Sequence, residues 1–145
     1  MKKYGIILMV VSAALILAFT GCSGSSSDKL EDVKWVLESY GDRDNPQDVI
    51  EGTEVTATFN SEDDRVTGVA GCNNYFGGYE INDGLSVGML ANTEMWCGEP
   101  EGRMDQETEY LTILQAAESY TVKGSKLTID CGDDVLIYTA SEAAN

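Results

Sequence analysis

The sequence predicts an α+β domain in which a curved, mostly antiparallel sheet or an incomplete β-barrel packs against one helix. Short alternating segments separated by turn residues predict strands, and one long amphipathic segment predicts a helix. Glycines inside the strand pattern indicate bulges or bends that curl a sheet. With 145 residues the chain suits a single domain, and the order of strands, one helix and more strands is typical of the α+β class.

The strands before the helix are predicted in order along the chain. Trp35–Tyr40 is the first, and a polar, turn-rich segment follows it. Val55–Phe59 and Arg65–Ala70 flank a polar turn and predict a hairpin. Gly71–Ile81 mixes glycines with aromatic residues, and after a turn Leu85–Val87 resumes the strand pattern. These segments would form the curved part of the sheet.

The helix is predicted over about Glu101–Tyr120, with Pro100 in its first turn. An apolar stripe at helical spacing should pack on the sheet: Met104, Tyr110, Leu111, Leu114 and Ala117. Polar residues between them should face solvent: Asp105, Gln106, Glu109 and Thr112. Acids near the start should stabilise the positive end of the helix dipole from the solvent side: Glu99, Glu101, Asp105 and Glu107. Lys126–Ile129 and Val135–Tyr138 then predict a closing hairpin.

The N-terminus has the layout of a secretory signal. Two lysines precede an apolar run over Tyr4–Phe19, which is shorter than the roughly 20 residues that a spanning helix needs. Phe19–Cys22 resembles a lipobox, so we expect residues 1–21 to be a cleaved lipoprotein signal peptide and Cys22 to carry diacylglycerol. An uncleaved signal anchor is the alternative. Both place the rest of the chain outside the cytoplasm, at the cell membrane or envelope.

Residues 22–31 are predicted to form a flexible tether, and residues 32–141 the folded domain. The chain has 25 acidic and 9 basic residues, a net charge of −16. Loss of residues 1–21 removes two lysines and no acid, which leaves −18. This charge repels nucleic acid and anionic headgroups. We therefore expect the protein to contact the membrane through its lipid anchor and not through its acidic surface. We expect no nucleic acid as a partner.

The composition excludes several kinds of catalytic and metal site. The chain has no histidine, which removes Ser/His/Asp triads and His-based zinc sites, and it has no Cys-x-x-Cys pair for redox catalysis. Asp42, Asp44 and Asp48 have calcium-loop spacing, but Gln47 and Thr53 stand where the loop needs glycine and glutamate. We expect a solvated loop there, and no metal or cofactor.

Two kinds of candidate chemistry remain. Asn73, Asn74 and Tyr75 could contact a ligand, although asparagines at a bend also bond their own backbone and a tyrosine also packs in a core. A carboxylate-dependent enzyme would need an acid such as Glu94 or Glu109 in a pocket. Exposure of both acids would count against catalysis.

Several segments together resemble the META domain, the HslJ-like heat-shock protein family (DUF306). They are Trp35–Leu37, Val69–Tyr75, Gly78–Tyr79, Leu90–Cys97, Met104 and Glu109–Leu111. The resemblance covers about Asp32–Ala140. It implies a small curved or incomplete antiparallel barrel with a packed helix, and envelope lipoproteins as relatives. Family members are associated with heat and drug stress at the bacterial envelope and have no defined catalytic activity, and the fold is likened to pilot lipoproteins.

The resemblance also bears on the cysteines. Cys72 and Cys97 lie in its two most specific motifs, which implies a disulfide between them and leaves Cys131 free. Pairings of either cysteine with Cys131 remain alternatives, since three thiols outside the cytoplasm allow one intramolecular bridge.

These observations lead us to expect a non-catalytic, lipid-anchored protein that acts by binding in envelope stress tolerance. Its partner would be an envelope protein or a small molecule. A pilot-like interaction protein, marked by an apolar groove beside the helix, is the first alternative, and a carboxylate-dependent enzyme is the last. A small-molecule binder predicts an apolar cavity inside the barrel, whereas a partner-binding protein predicts a filled interior and an exposed patch.

Overall fold

The computed structural model describes residues 29–141, so the predicted signal peptide, the Cys22 lipidation site and most of the tether lie outside the described residues. Within this range the chain forms ten strands and one helix, α1 (Arg103–Gln115). The strands are β1 (Lys34–Asp42), β2 (Gln47–Asp48), β3 (Thr56–Asn60), β4 (Arg65–Val69), β5 (Asn74–Ile81), β6 (Leu85–Val87), β7 (Ala91–Asn92), β8 (Ser119–Lys123), β9 (Lys126–Cys131) and β10 (Asp134–Ala140).

The strands form one antiparallel sheet that curls into a nearly closed barrel. Its order is β6-β5-β4-β3-β1-β10-β9-β8, while β2 pairs with β1 and β7 pairs with β5. The terminal strands β6 and β8 approach each other at one backbone hydrogen bond, from Leu85 N to Glu118 O at 3.0 Å. We call this line between β6 and β8 the seam. The curved antiparallel sheet with one packed helix confirms the predicted fold class.

Both predicted hairpins are confirmed. In the first, β3 pairs with β4 and Asn60 stands opposite Arg65. In the second, β9 pairs with β10 and Cys131 stands opposite Asp134. The polar turns between these strands match the expectation because short loops between alternating segments bring the two strands side by side.

The helix is shorter than predicted at both ends. It begins at Arg103 because Gly102 has the left-handed φ of 84°, which interrupts the helical path. Pro100 and Glu101 therefore precede the helix, and the prediction that Pro100 belongs to the first turn is wrong. At the other end the chain leaves the helix at Ala116 and enters β8, whereas the sequence predicts helix up to about Tyr120.

The buried face of α1 holds the expected apolar residues and two unexpected polar ones. Of the predicted stripe, Tyr110 and Leu114 are buried on α1 and Ala117 is buried just after its end. Leu111 packs on the core while partly exposed, and Met104 is half-buried. Gln106 and Glu107 are also buried, which contradicts the prediction that they face solvent. Gln106 accepts a hydrogen bond from Ile50 N at 2.7 Å and donates one to the Thr53 hydroxyl at 2.9 Å, so its burial is compensated.

The barrel interior is filled by large side chains. The largest fully buried ones are Trp35, Tyr75, Tyr110, Tyr138, Phe59, Leu30, Leu85, Leu114, Leu127, Ile129, Leu136 and Gln106. Three tyrosine hydroxyls meet at the centre: that of Tyr110 lies 2.7 Å from Tyr75 and accepts from Tyr138 at 3.2 Å. Burial raises the pKa of all three phenols well above the ordinary value of 10. The core is thus aromatic and internally hydrogen-bonded.

The folded domain begins before the predicted boundary at residue 32. Leu30 is buried and its carbonyl oxygen accepts the Trp35 indole N–H at 2.8 Å. Glu31 forms a parallel bridge with Phe59. These two residues, assigned to the tether from sequence, therefore belong to the domain. Within residues 29–141 no helix has the length and apolar character to cross a membrane.

Candidate binding surface

A buried carboxylate connects α1 to the segment around Cys72. Glu107 is only 3% exposed, and its Oε2 accepts the backbone N–H groups of Cys72 at 3.1 Å and Asn73 at 2.7 Å. Its Oε1 accepts the Asn73 side-chain amide at 2.6 Å. Three donors thus satisfy this carboxylate, which explains why it can be buried on a helix face expected to be apolar.

Asn73 extends the network to the segment that follows β7. Its Oδ1 accepts the Thr93 hydroxyl at 2.6 Å and the Met95 N–H at 2.8 Å, while its Nδ2 donates to the Met95 carbonyl at 3.0 Å. The side chain therefore holds both backbone polar groups of Met95. Because Asn73 is itself held by Glu107, residues 93–98, called here the disulfide loop, are tied to the helix.

A disulfide closes the same loop. The structure joins Cys72 to Cys97, the pairing that the family resemblance implies, with their Cα atoms 6.0 Å apart and the two residues 25 positions apart in sequence. Cys131 is free and buried in β9. Burial, with the neighbouring carboxylates of Asp130 and Asp134, raises the pKa of this thiol to about 12.

The disulfide loop presents large apolar side chains to solvent. Met95 is 53% exposed and Trp96 is 80% exposed. The Trp96 ring lies over Gly98, where an added Cβ would come within 2.8 Å of the ring. Beside it, Trp96, Pro100 and Met104 line part of a cleft of about 170 Å³ at the start of α1.

The three predicted ligand-contact residues occupy different environments. Asn73 and Tyr75 are buried, and the Tyr75 hydroxyl donates to the Thr56 carbonyl at 2.8 Å. Asn74 is exposed, and its carbonyl accepts the Thr93 N–H at 3.0 Å. Only Asn74 among the three presents its side chain to solvent. Ligand contact by Asn73 or Tyr75 stays a prediction that would require the network around them to open.

The candidate catalytic and metal residues do not form a pocket. Glu94 and Glu109 are both exposed, the arrangement that counts against a carboxylate-dependent enzyme. Asp42 accepts the backbone N–H of Asp44 at 2.8 Å and of Asn45 at 3.2 Å, which makes it a turn-capping residue in a solvated loop. Across residues 29–141 we find no group of three or more side chains that could hold a metal ion.

The fold and this network define a class of small barrel-like domain with one packed helix and a disulfide-bridged loop. The chain belongs to the META domain family, whose family model matches residues 28–143. The resemblance seen in the sequence is thereby confirmed. META is not a known enzyme family, and membership supports an envelope-associated protein. No curated protein sequence matches the chain significantly.

Three solved structures share the fold. An NMR structure of a protein from Burkholderia xenovorans is similar with a TM-score of 0.67 and 23% identity, covering 99% of this chain and 100% of that one. A second NMR structure has a TM-score of 0.60 at 21% identity, covering 80% and 95% of the two chains. A crystal structure of a DUF4847 family protein from Bacteroides vulgatus ATCC 8482 has a TM-score of 0.57 at 11% identity, covering 79% and 96%. These likenesses concern the fold alone.

Sequence reasoning missed the central residue of this surface. In the sequence Glu107 resembles any other solvent-facing acid near a helix start, and Met95 and Trp96 stand out only as parts of a motif. A signal was present, because Glu107 lies one turn before Tyr110 and so on the buried side of the helix. Only the fold shows that the carboxylate oxygens of Glu107 accept hydrogen bonds from donors 34 residues earlier in the chain.

Proposed function

We propose that this protein is a lipid-anchored, non-catalytic binding protein of the bacterial envelope that uses the disulfide loop to contact a protein partner. The observation that carries the proposal is the exposure of Trp96 on a loop that a disulfide and the side chain of Asn73 hold in place. An exposed tryptophan on a fixed segment is typical of an interface anchor, because little conformational freedom is lost on binding.

The filled barrel supports a protein partner over a small molecule. Aromatic and aliphatic side chains with almost no exposure occupy the interior, and the clefts of about 170 to 320 Å³ lie at the described surface, open to solvent. A small-molecule site typically encloses most of its ligand in a concave, apolar cavity. An exposed apolar patch over a packed core instead favours association with a macromolecule.

Lipid anchoring supports the envelope location. The Phe19–Cys22 segment has the lipobox pattern, and the acidic chain would be repelled by anionic headgroups, so attachment would depend on the lipid. A role in envelope stress tolerance rests on the family alone. The pilot-like alternative is favoured by the cleft at the start of α1, since about 170 Å³ can take one apolar side chain of a client protein.

Site-specific photo-crosslinking tests the contact surface. A photoreactive residue at Met95, which is exposed beside Trp96 in the disulfide loop, should capture one defined envelope protein, whereas the same residue at Met89 should not. Met89 is the matched control because it is 89% exposed but lies outside the disulfide loop. Equal capture at both positions, or capture at neither, would contradict the proposed contact.

Intact-mass analysis tests the anchor independently. We expect a membrane-extracted chain that begins at Cys22, carries a diacylglyceryl adduct and contains one Cys72–Cys97 bridge. A chain that begins at Met1 without an adduct would overturn the lipoprotein proposal but would not affect the crosslinking result.

A strain without the protein should survive heat or drug stress less well, and the Trp96→Ala variant should fail to restore survival.

A further inference from the structure

Strand β8 leaves one edge of the barrel unpaired. Along Ser119–Lys123 it pairs with β9, and on its other side it meets β6 only through the bond from Leu85 N to Glu118 O. Since β6 ends at Val87 and runs antiparallel to β8 in the barrel order, the two strands overlap at their starts and then diverge. The rest of the β8 edge therefore has no neighbouring strand among residues 29–141.

The register identifies the unpaired backbone groups. Lys123 and Lys126 flank a two-residue turn, so they form a hydrogen-bonded pair, and such pairs alternate along an antiparallel ladder. Ser119, Thr121 and Lys123 consequently bond to β9, whereas the N–H and C=O groups of Tyr120 and Val122 point to the open edge. No hydrogen bond to these groups occurs within the described part of the chain. This is the pattern of an edge that can accept a further strand.

Side-chain burial shows the same gap. Ile129 and Leu127 on β9 are fully buried, but their neighbours on β8, Tyr120 and Val122, pack on the core and stay only partly buried. Each has a partner on β9 and no strand on its other side within the described residues. An added strand with apolar residues at alternate positions would cover both side chains.

The negative charge at the seam favours a positively charged added strand. Glu80 and Glu118 line a cleft of about 260 Å³ at the point where β6 and β8 separate, and neither carboxylate forms an ion pair within residues 29–141. A lysine or arginine at the end of the added strand nearest the seam would compensate them, at the opposite end of the β8 edge from Lys123. A second copy of this chain carries a net charge of −16 and would be repelled.

We propose that the open edge of β8 binds an extended, cationic polypeptide segment of another protein by strand addition. Main-chain hydrogen bonds from Tyr120 and Val122 supply the pairing, and the carboxylates of Glu80 and Glu118 select positive charge. This site is separate from the disulfide loop, so the test of this proposal does not depend on the function proposed above.

A peptide-binding experiment on the full chain tests the proposal. The probe is a labelled eight-residue peptide of alternating valine and lysine, and its control is the same peptide with glutamate for lysine. The Val122→Pro variant removes one outward N–H without disturbing the ladder to β9, since proline is tolerated on an edge strand whose N–H faces outward. Val122→Thr keeps that N–H and nearly the same shape.

The expected result is binding of the lysine peptide and not of the glutamate peptide. Val122→Pro should weaken this binding by about tenfold or more, because it loses a main-chain bond and blocks the edge, while Val122→Thr and Trp96→Ala should bind as the wild type does. All three variants keep the charge of the chain, so a selective loss in Val122→Pro excludes simple charge attraction. Unaltered binding by Val122→Pro, or no binding by the wild type, would overturn the proposal, as would a dimer in sedimentation that Val122→Pro dissociates.

Discussion

The two ends of helix α1 lead into surfaces of opposite character. Before the helix, the disulfide loop exposes apolar side chains but has its backbone satisfied, because Asn73 takes both polar groups of Met95. After the helix, β8 exposes little apolar area but leaves the outward backbone groups of Tyr120 and Val122 unpaired. The first surface is suited to side-chain docking on a fixed template, and the second to main-chain pairing.

The difference also concerns how each end is held. The disulfide loop is tied by a covalent bridge and a buried carboxylate network. The seam is held at one backbone hydrogen bond between Leu85 and Glu118. We therefore expect removal of the groups that attach the disulfide loop to cost more stability than substitution at the seam, and the predictions below run from the largest expected effect to the smallest.

The largest effect is expected for Glu107→Ala. This change leaves the N–H groups of Cys72 and Asn73 and the Asn73 amide without their acceptor in a buried site. We expect the free energy of unfolding in urea to fall by about 4 kcal/mol. The matched control is Glu109→Ala on the exposed side of the same helix, expected to change it by less than about 0.5 kcal/mol. Equal losses in the two variants would show that the buried network contributes nothing.

Removal of the disulfide should have the next largest effect. Replacing Cys72 and Cys97 together by serine frees a connection across 25 residues, which costs about 3 kcal/mol in the chain-entropy model. Trp96 fluorescence anisotropy should also decrease, since the loop loses one of its two attachments. Unchanged anisotropy would mean that the Asn73 network alone keeps the loop in place.

The seam should respond more weakly to Gly84→Ala. An added Cβ there would lie 2.2 Å from the Glu118 carbonyl oxygen, so the contact between the starts of β6 and β8 must shift. We expect a loss of about 2 kcal/mol in the free energy of unfolding. Gly78→Ala is the control, because its nearest neighbour would be 4.0 Å away. A loss as large as that of Glu107→Ala would contradict the ranking of the two ends.

Cys131 provides a pH-dependent probe near the seam. Its pKa is raised to about 12 from an ordinary 9.0, first by burial, so the protonated thiol stabilises the fold below about pH 9 and this contribution is lost as the pH rises toward 12. At pH 8 iodoacetamide should label Cys131 hardly at all in the wild type and faster in Gly84→Ala. Rapid labelling of the folded wild type would show that the thiol is not buried.

The smallest effect on stability is expected for Trp96→Ala. Its side chain is 80% exposed, so the free energy of unfolding should change by less than about 0.5 kcal/mol, while capture of the partner through a photoreactive residue at Met95 should be lost. A large destabilisation would show instead that the ring is a structural element of the loop.

Much of the sheet could be predicted from the sequence because alternation and turn residues are local signals. The hairpins at Asn60–Arg65 and Cys131–Asp134 follow from them directly. Strand β8 was missed because Ala116 and Ala117 prolong a helical pattern, although the β-branched and aromatic run after Ser119 before Gly124 was a strand signal.

The site was less predictable for a physical reason. Hydrophobic periodicity assigns charged residues to solvent, and it fails wherever a buried acid such as Glu107 is satisfied by backbone donors distant in sequence. The open edge of β8 was equally hidden, because only the sheet order shows which strand lacks a neighbour.

Amide hydrogen exchange on the oxidised full chain tests the contrast between the two ends most directly. This contrast predicts strong protection for the N–H groups of Asn73 and Met95, which donate to the Glu107 and Asn73 side chains, and rapid exchange for those of Tyr120 and Val122. Rapid exchange at Met95, or strong protection at Val122 in the unliganded protein, would contradict it.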